Sequence, residues 1–273
     1  MPNALRPLTV GELLDRTFFL YRRHFAMFVG IAALPNLMLF AFQLIQVVLN
    51  TTTLGSTPTT LLWLLATILI YFITIAVSQG ATIIAVSQIQ LDRDASASAA
   101  FAAIRSRIGE LSLLMFGMGL RILLGFLLLV VPGIYLAIIW SLAIPVAVLE
   151  GAPLAQALAR SAELTVGHRG RIFVVYSLLL ILVYIVTLLV QGPTMAVIAI
   201  GAGTLSVAEL PAWAEVLLAF SNFVTTSLVS PIMTIALSLV YYDERVRKEA
   251  FDLQHMMQQL DGATALPVPS AAL

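Results

Sequence analysis

The chain has 273 residues, 60% of them hydrophobic and 10% charged, with zero net charge and a mean hydropathy of +1.02. An ordinary soluble domain carries about 25% charged residues, so a water-soluble fold could not hide this much apolar surface. The basic residues are split among separate stretches, which leaves no nucleic-acid footprint. The lack of cysteine removes disulfides, thiol nucleophiles and thiolate metal sites.

The N-terminus opens without a short apolar core ahead of a small-residue cleavage site, so no cleavable signal peptide is expected. An amphipathic helix is predicted next. Leu13, Leu14, Thr17, Phe18 and Tyr21 share one side of it, and Glu12, Asp15, Arg16, Arg22 and Arg23 take the other. Glu12 and Arg16 form an i,i+4 pair of the favourable order. Two apolar runs follow at about 25–48 and 61–86, each long enough for the roughly 20 residues that cross a bilayer. A weaker amphipathic segment surrounds Phe101, Ile104 and Ile108 with Arg105 and Arg107. The third span is predicted at about 111–131 and the fourth at about 134–149, joined by a tight hairpin at Pro132-Gly133. A third amphipathic helix opens at Pro153, with Leu154, Ala155, Leu158 and Ala162 opposite Gln156, Arg160 and Glu163. The fifth span is predicted at about 172–190. Residues 194–202 are apolar but too short to cross, and read as a re-entrant or interfacial piece. The sixth span, about 212–241, continues into the charged helix from Asp243 to Asp252, and the last residues, 263–273, read as a disordered tail. The second and sixth runs exceed one bilayer thickness, so they should tilt, kink near Gly80 and Pro231, or protrude.

Every Lys and Arg except Arg121 lies in alternate gaps between these runs. Arg16, Arg22 and Arg23 precede the first, Arg160 stands between the fourth and fifth, and Arg245, Arg247 and Lys248 follow the last. Cytoplasmic loops carry such an excess. The expectation is an all-α polytopic protein of six transmembrane helices and three interfacial amphipathic helices, both termini cytoplasmic, in the inner (cell) membrane.

A shift of 144 residues superposes Leu14, Arg16, Thr17, Leu20 and His24 on Leu158, Arg160, Ser161, Leu164 and His168. Residues 1–252 therefore read as one membrane domain of three units, 8–92, 93–150 and 151–252, followed by a cytoplasmic tail, 253–273. Convergent patterning of interfacial helices is the rival explanation of the match.

Three stretches resemble the uncharacterised bacterial membrane-protein family named for the membrane domain of glycerophosphoryl diester phosphodiesterases. They are Leu8-Thr9-Val10-Gly11-Glu12-Leu13-Leu14-Asp15-Arg16 with Tyr21-Arg22-Arg23; Val131-Pro132-Gly133-Ile134-Tyr135 with Pro145 to Gly151 and Ala157 to Ser161; and Tyr241-Tyr242-Asp243-Glu244-Arg245-Val246-Arg247-Lys248-Glu249. The resemblance implies a six-helix membrane domain and no established activity. Some members of that family carry a soluble phosphodiesterase domain after it, which is not expected here. The His168-Arg169-Gly170 triplet resembles the opening of the soluble catalytic motif, but Arg171 and an apolar run follow where acidic ligands would be required. A basic loop that holds topology is the expectation, and the chain is not expected to be an enzyme.

Arg121 stands alone within a span, about 16 Å along the helix from Glu110. A charge at that depth costs at least about 2.5–3.5 kcal/mol and should find protein or water. Asn36, Gln79, Asn222 and carbonyls loosened by Pro35 or Pro231 are the candidate partners, and Arg121, Gln79 and Asn222 the candidate ligand-binding residues. The alternative is a structural or snorkelling arginine. Gln43, Gln46, Ser78, the 225–227 run and Ser230 read as interhelical packing, or as the lining of a cavity. Glu150 is expected to pair with Arg160. His24, His168 and His255 have no metal-like spacing, and neither cofactor nor metal is expected. The functional expectation is a structural or regulatory membrane module engaging lipid or a protein partner on the cytoplasmic face. The alternative is a transporter or lipid-handling protein with an anionic ligand site near Arg121.

Overall fold

A computed structural model describes residues 8–52, 57–203 and 210–264, and the side chains of 8–49, 61–203 and 210–248. All its regular structure is helical: α1 (Val10–Arg23), α2 (Phe25–Thr52), α3 (Thr57–Gln90), α4 (Ala97–Ile104), α5 (Ile108–Leu128), α6 (Val130–Ile139), α7 (Ala143–Glu150), α8 (Leu154–Thr165), α9 (Arg169–Ala202) and α10 (Ala212–Thr264). Six stretches are long and apolar enough to cross a membrane: Phe25–Leu49, Leu61–Gln90, Ala97–Leu128, Val130–Glu150, Arg169–Ala202 and Ala212–Lys248. Small hydroxylated residues are buried beside the apolar core, and many large apolar side chains face outward. Thr17, Thr74, Ser78, Thr82, Thr225, Ser227 and Ser238 are inside, while Leu62, Leu65, Leu127, Leu128, Tyr184 and Leu189 face outward. Small and hydroxylated residues hold helices together in lipid, where apolar side chains gain nothing by turning inward. The chain is a multi-pass membrane protein.

Short helices precede each pair of spans and share one register. The break between short helix and span falls at His24, at Arg107 (the end of a 3-10 turn, Arg105–Arg107) and at His168, which are related by shifts of 83 and 144. The same shifts relate the buried residues Thr17, Ala100 and Ser161; Tyr21, Ile104 and Thr165; Phe28, Leu111 and Ile172; and Ile31, Leu114 and Val175. Packing recurs with the register. Each short helix lies on a helix of a span: α4 on α3, α8 on α7, and α1 on α10. Because α10 is last in sequence and α1 first, that third contact closes a ring. The second-span helices α3, α7 and α10 meet one another at its centre.

Helix α1 begins with a capping box: Thr9 Oγ1 accepts from Glu12 N–H at 3.3 Å, and Thr9 N–H donates to Glu12 Oε2 at 2.8 Å. Its apolar side, Leu13, Thr17, Leu20 and Tyr21, is buried, with Leu14 and Phe18 packed at the margin. Leu8 N–H donates to Asp243 Oδ1 and Tyr21 Oη to Leu228 O, both on α10. Those α10 positions are about 22 Å apart along the helix, close to the length of α1, so α1 runs antiparallel alongside α10. Burial raises the Tyr21 phenol pKa, which keeps it a donor.

Three sequence expectations need correction. Residues 194–202 are no separate piece, because α9 continues through Pro193 to Ala202. The hairpin turns three residues earlier than predicted: Leu129 alone is extended (φ −163°, ψ 149°), and Pro132 sits inside the first turn of α6, where its missing N–H leaves nothing unpaired. Gly133 permits that turn, since a Cβ there would lie 2.4 Å from the Phe126 ring. The fourth span is also broken, with α6 ending at Ile139 and α7 starting at Ala143. Ser161 of α8 fills the gap, accepting from Leu142 N–H at 3.1 Å and donating to Ile139 O at 2.8 Å. The final tail begins as a continuation of α10 to Thr264; residues 265–273 lie outside the described residues.

Candidate functional site

Between α2, α3, α5 and α10 lies a lateral cavity of about 860 Å³. Helical periodicity builds its polar wall. Thr74, Ser78 and Gln79 come from α3, and Asn222, Thr226 and Ser230 from α10, spaced about one turn apart. Asn36 and Gln43 of α2 complete it. The opposite wall is apolar, formed by Phe72 of α3 and Phe116, Leu120 and Leu123 of α5, with Gly119 leaving room. Leu123 is 63% exposed and Tyr71 47%, so the mouth opens sideways towards lipid rather than to either face. No charged residue lines it. Thr74 is only 1% exposed, yet its Oγ1 has no hydrogen-bond partner, and Ser230 Oγ is likewise unpaired. An orphaned hydroxyl is costly at membrane depth, where water does not compensate.

A second, smaller cavity of about 500 Å³ adjoins the first. Gln43 and Asn222 line both. It continues towards the distal face, away from the termini, between Gln46 of α2, Gln191 of α9 and Glu215 in the first turn of α10. Gln46 Nε2 donates to Thr67 Oγ1 at 2.9 Å, and Gln191 Oε1 accepts from Ser221 Oγ at 3.1 Å.

Of the ligand residues expected from sequence, the fold brings Gln79 and Asn222 into one cavity and leaves Arg121 out of it. Arg121 is exposed, and its Nη1 donates to Gly117 O of its own helix at 3.0 Å. None of Asn36, Gln79 or Asn222 is its partner. Long helical side chains point towards the N-terminal end of their helix, which directs this guanidinium from mid-bilayer towards the terminal face, the snorkelling geometry. Gly117 makes space for it, since a Cβ there would stand 3.2 Å from Nη1.

On the terminal face, sequence reading missed an interlocked cluster. Glu244 is fully buried and Asp243 is 5% exposed. Arg171 Nη1 lies 2.6 Å from Asp243 Oδ2 and 2.7 Å from Glu244 Oε1, while its Nη2 donates to Leu8 O at 2.7 Å. Arg247 bonds Asp243 Oδ2 at 2.8 Å and the same Leu8 carbonyl at 2.8 Å. His168 Nδ1 stands 2.7 Å from Glu244 Oε2, without hydrogen-bond alignment. Two carboxylates therefore meet two guanidinium groups and tie the start of the described chain to α9 and α10. The signal was present in sequence, because carboxylates that close an apolar run must be paired. His168 and Arg169 have structural contacts here; Arg169 Nη1 donates to Tyr135 Oη at 2.9 Å.

The expected Glu150–Arg160 pair is present at 3.6 Å, and Glu150 also accepts from Tyr241 Oη at 2.8 Å. Arg245 donates to that phenol oxygen, and Lys248 donates to the Glu163 carbonyl. Arg16 Nη2 reaches Gln90 Oε1 at 3.0 Å. Arg22 and Arg23 are exposed, Arg23 over the Phe19 ring. Among the described residues no group of three or more His, Asp or Glu side chains is arranged to hold a metal.

The architecture defines a helical multi-pass membrane protein. No family model, curated protein or solved structure matches the chain.

Proposed function

We propose that this protein is a lipid-engaging membrane module that takes an amphipathic molecule from the bilayer into its lateral cavity. The observation that carries the reading is a cavity between the span helices with one polar wall, of Asn36, Gln43, Gln79 and Asn222, and one apolar wall, of Phe72, Phe116, Leu120 and Leu123. Such a surface matches a molecule with hydrogen-bonding groups on one part and hydrocarbon on another. With Arg121 outside the cavity, the bound region is uncharged rather than anionic. The alternation of basic segments supports cytoplasmic termini in the inner (cell) membrane. That orientation turns Arg22, Arg23 and the charged end of α10 towards anionic headgroups and a cytoplasmic protein partner.

Native mass spectrometry of the purified protein tests the reading. Wild type should retain a bound lipid, and Gly119→Leu, which fills the cavity from α5, should lose it with its helical content unchanged. Equal lipid retention by both would refute the cavity as the site. Absence of lipid from wild type would favour a purely structural role, for which the interlocked terminal face is the supporting observation.

A further inference from the structure

The second cavity supplies the polar end of this site, and it carries a charge. Glu215, Asn222, Thr226 and Ser230 are spaced seven, four and four residues apart, so they share one face of α10 and mark a track of about 22 Å. The track starts near the distal end of α10 and runs into the lateral cavity. Along it Glu215 is, among the described residues, the sole charged one lining either cavity. Among the described residues its carboxylate makes no hydrogen bond or ion pair, although it is half-buried between helices. The amides of Gln43, Gln191 and Asn222 line the same cavity, Asn222 about 10 Å further along α10. An uncompensated carboxylate near the hydrocarbon boundary favours a cation from the ligand, and an ammonium among amide oxygens would donate charge-assisted hydrogen bonds to them.

We propose that the ligand is an amphiphile of the distal leaflet bearing a positively charged amine. Its head lies between Glu215 and the three amides, and its chain passes Asn222 into the lateral cavity. This rests on the lateral-cavity reading and adds the chemistry of the head and the leaflet of entry. The bland role for Glu215 is a first-turn acid complementing the α10 dipole. That role affects stability and cannot confer a preference among head groups.

The test uses the full chain in phosphatidylglycerol vesicles and three photoreactive amphiphiles of one chain length, with ammonium, polyol or sulfate heads. Saturable labelling of cavity residues is compared between wild type and Glu215→Gln; the ratio cancels the attraction of cations to the vesicle surface. For the ammonium head, wild type should label about tenfold more tightly than the variant, the effect of one charge-assisted contact. The polyol head should show a ratio near one, and Glu215→Asp should keep the ammonium preference. Labelling by all three heads with ratios near one would overturn the head-group assignment and leave the lateral cavity standing. No saturable labelling by any head would overturn both. Should Glu215→Gln fail to fold, Glu215→Asp and wild type decide: no ammonium-over-polyol preference in either, measured in uncharged vesicles, refutes the proposal.

Discussion

Arg171→Met isolates the cluster that closes the ring. The guanidinium contacts two carboxylates at 2.6 and 2.7 Å and the Leu8 carbonyl at 2.7 Å. Both acids are nearly or wholly out of water, so the loss is governed by stranded charge rather than by a weak surface pair. Removing one partner of a buried ion pair costs about 3–5 kcal/mol. Arg247 still holds Asp243 and the Leu8 carbonyl, which puts the expected value at the lower end, about 3 kcal/mol. For a chain of this size that corresponds to a fall in Tm of roughly 6–12 °C. Thermal unfolding of detergent-purified protein is the assay, repeated in a cycle with Glu244→Gln. Because Glu244→Gln removes one of the stranded charges, the double variant should lose at least about 1 kcal/mol less than the sum of the singles. The effect should persist in high salt, which screens buried pairs poorly. A Tm change within about 2 °C, or strict additivity, would refute the claim that these charges act as a buried unit.

Gly133→Ala should destabilise the protein by about 1–3 kcal/mol, because its Cβ would meet the Phe126 ring at 2.4 Å; adding Phe126→Ala should relieve it, and a Gly133→Ala protein as stable as wild type would show that the hairpin is not tightly closed. Ser161→Ala strands the Leu142 amide and Ile139 carbonyl in the broken span and should cost about 1–3 kcal/mol in thermal unfolding, with no change arguing that another group caps the break. Arg121→Leu should be nearly neutral, since its acceptor among the described residues is a carbonyl of its own helix; a loss above about 2 kcal/mol would reveal a buried partner. Cysteine placed at Asp15 should react quickly with a water-soluble maleimide and cysteine at fully buried Leu13 slowly, while equal rates would contradict the packing of α1 on α10.

The spans were legible because lipid imposes an approximately 20-residue apolar length on each. Short helices were legible because one-sided burial leaves a 3.6-residue pattern, and Leu13, Thr17 and Tyr21 are buried as that pattern requires. Apolarity alone does not locate a break inside a span. The interruption at 140–142 depends on Ser161, nineteen residues beyond Leu142, and nothing local announces it. The same limit explains residues 194–202: the run is too short to cross alone, but a membrane helix continues through a proline such as Pro193. Polar residues in the spans were visible as a set, whereas their sorting into Gln79 and Asn222 inside one cavity and Arg121 outside it depends on helix rotation, which no single span encodes.

The ring arrangement explains why the lateral cavity has its particular polar walls. Helices α3 and α10 are unbroken spans with hydroxyl residues one turn apart: Thr74, Ser78 and Thr82 on α3, and Thr226, Ser230 and Thr234 on α10. Both runs make the same bond, Thr82 Oγ1 to Ser78 O at 2.7 Å and Thr234 Oγ1 to Ser230 O at 3.1 Å. The fourth span is broken instead, and Ser161 closes its gap. A polar-walled cavity therefore forms where α3 faces α10. Helix α10 carries one cavity wall near its middle and the Asp243–Glu244 cluster beyond it, and that cluster fixes the helix against Leu8 and Arg171.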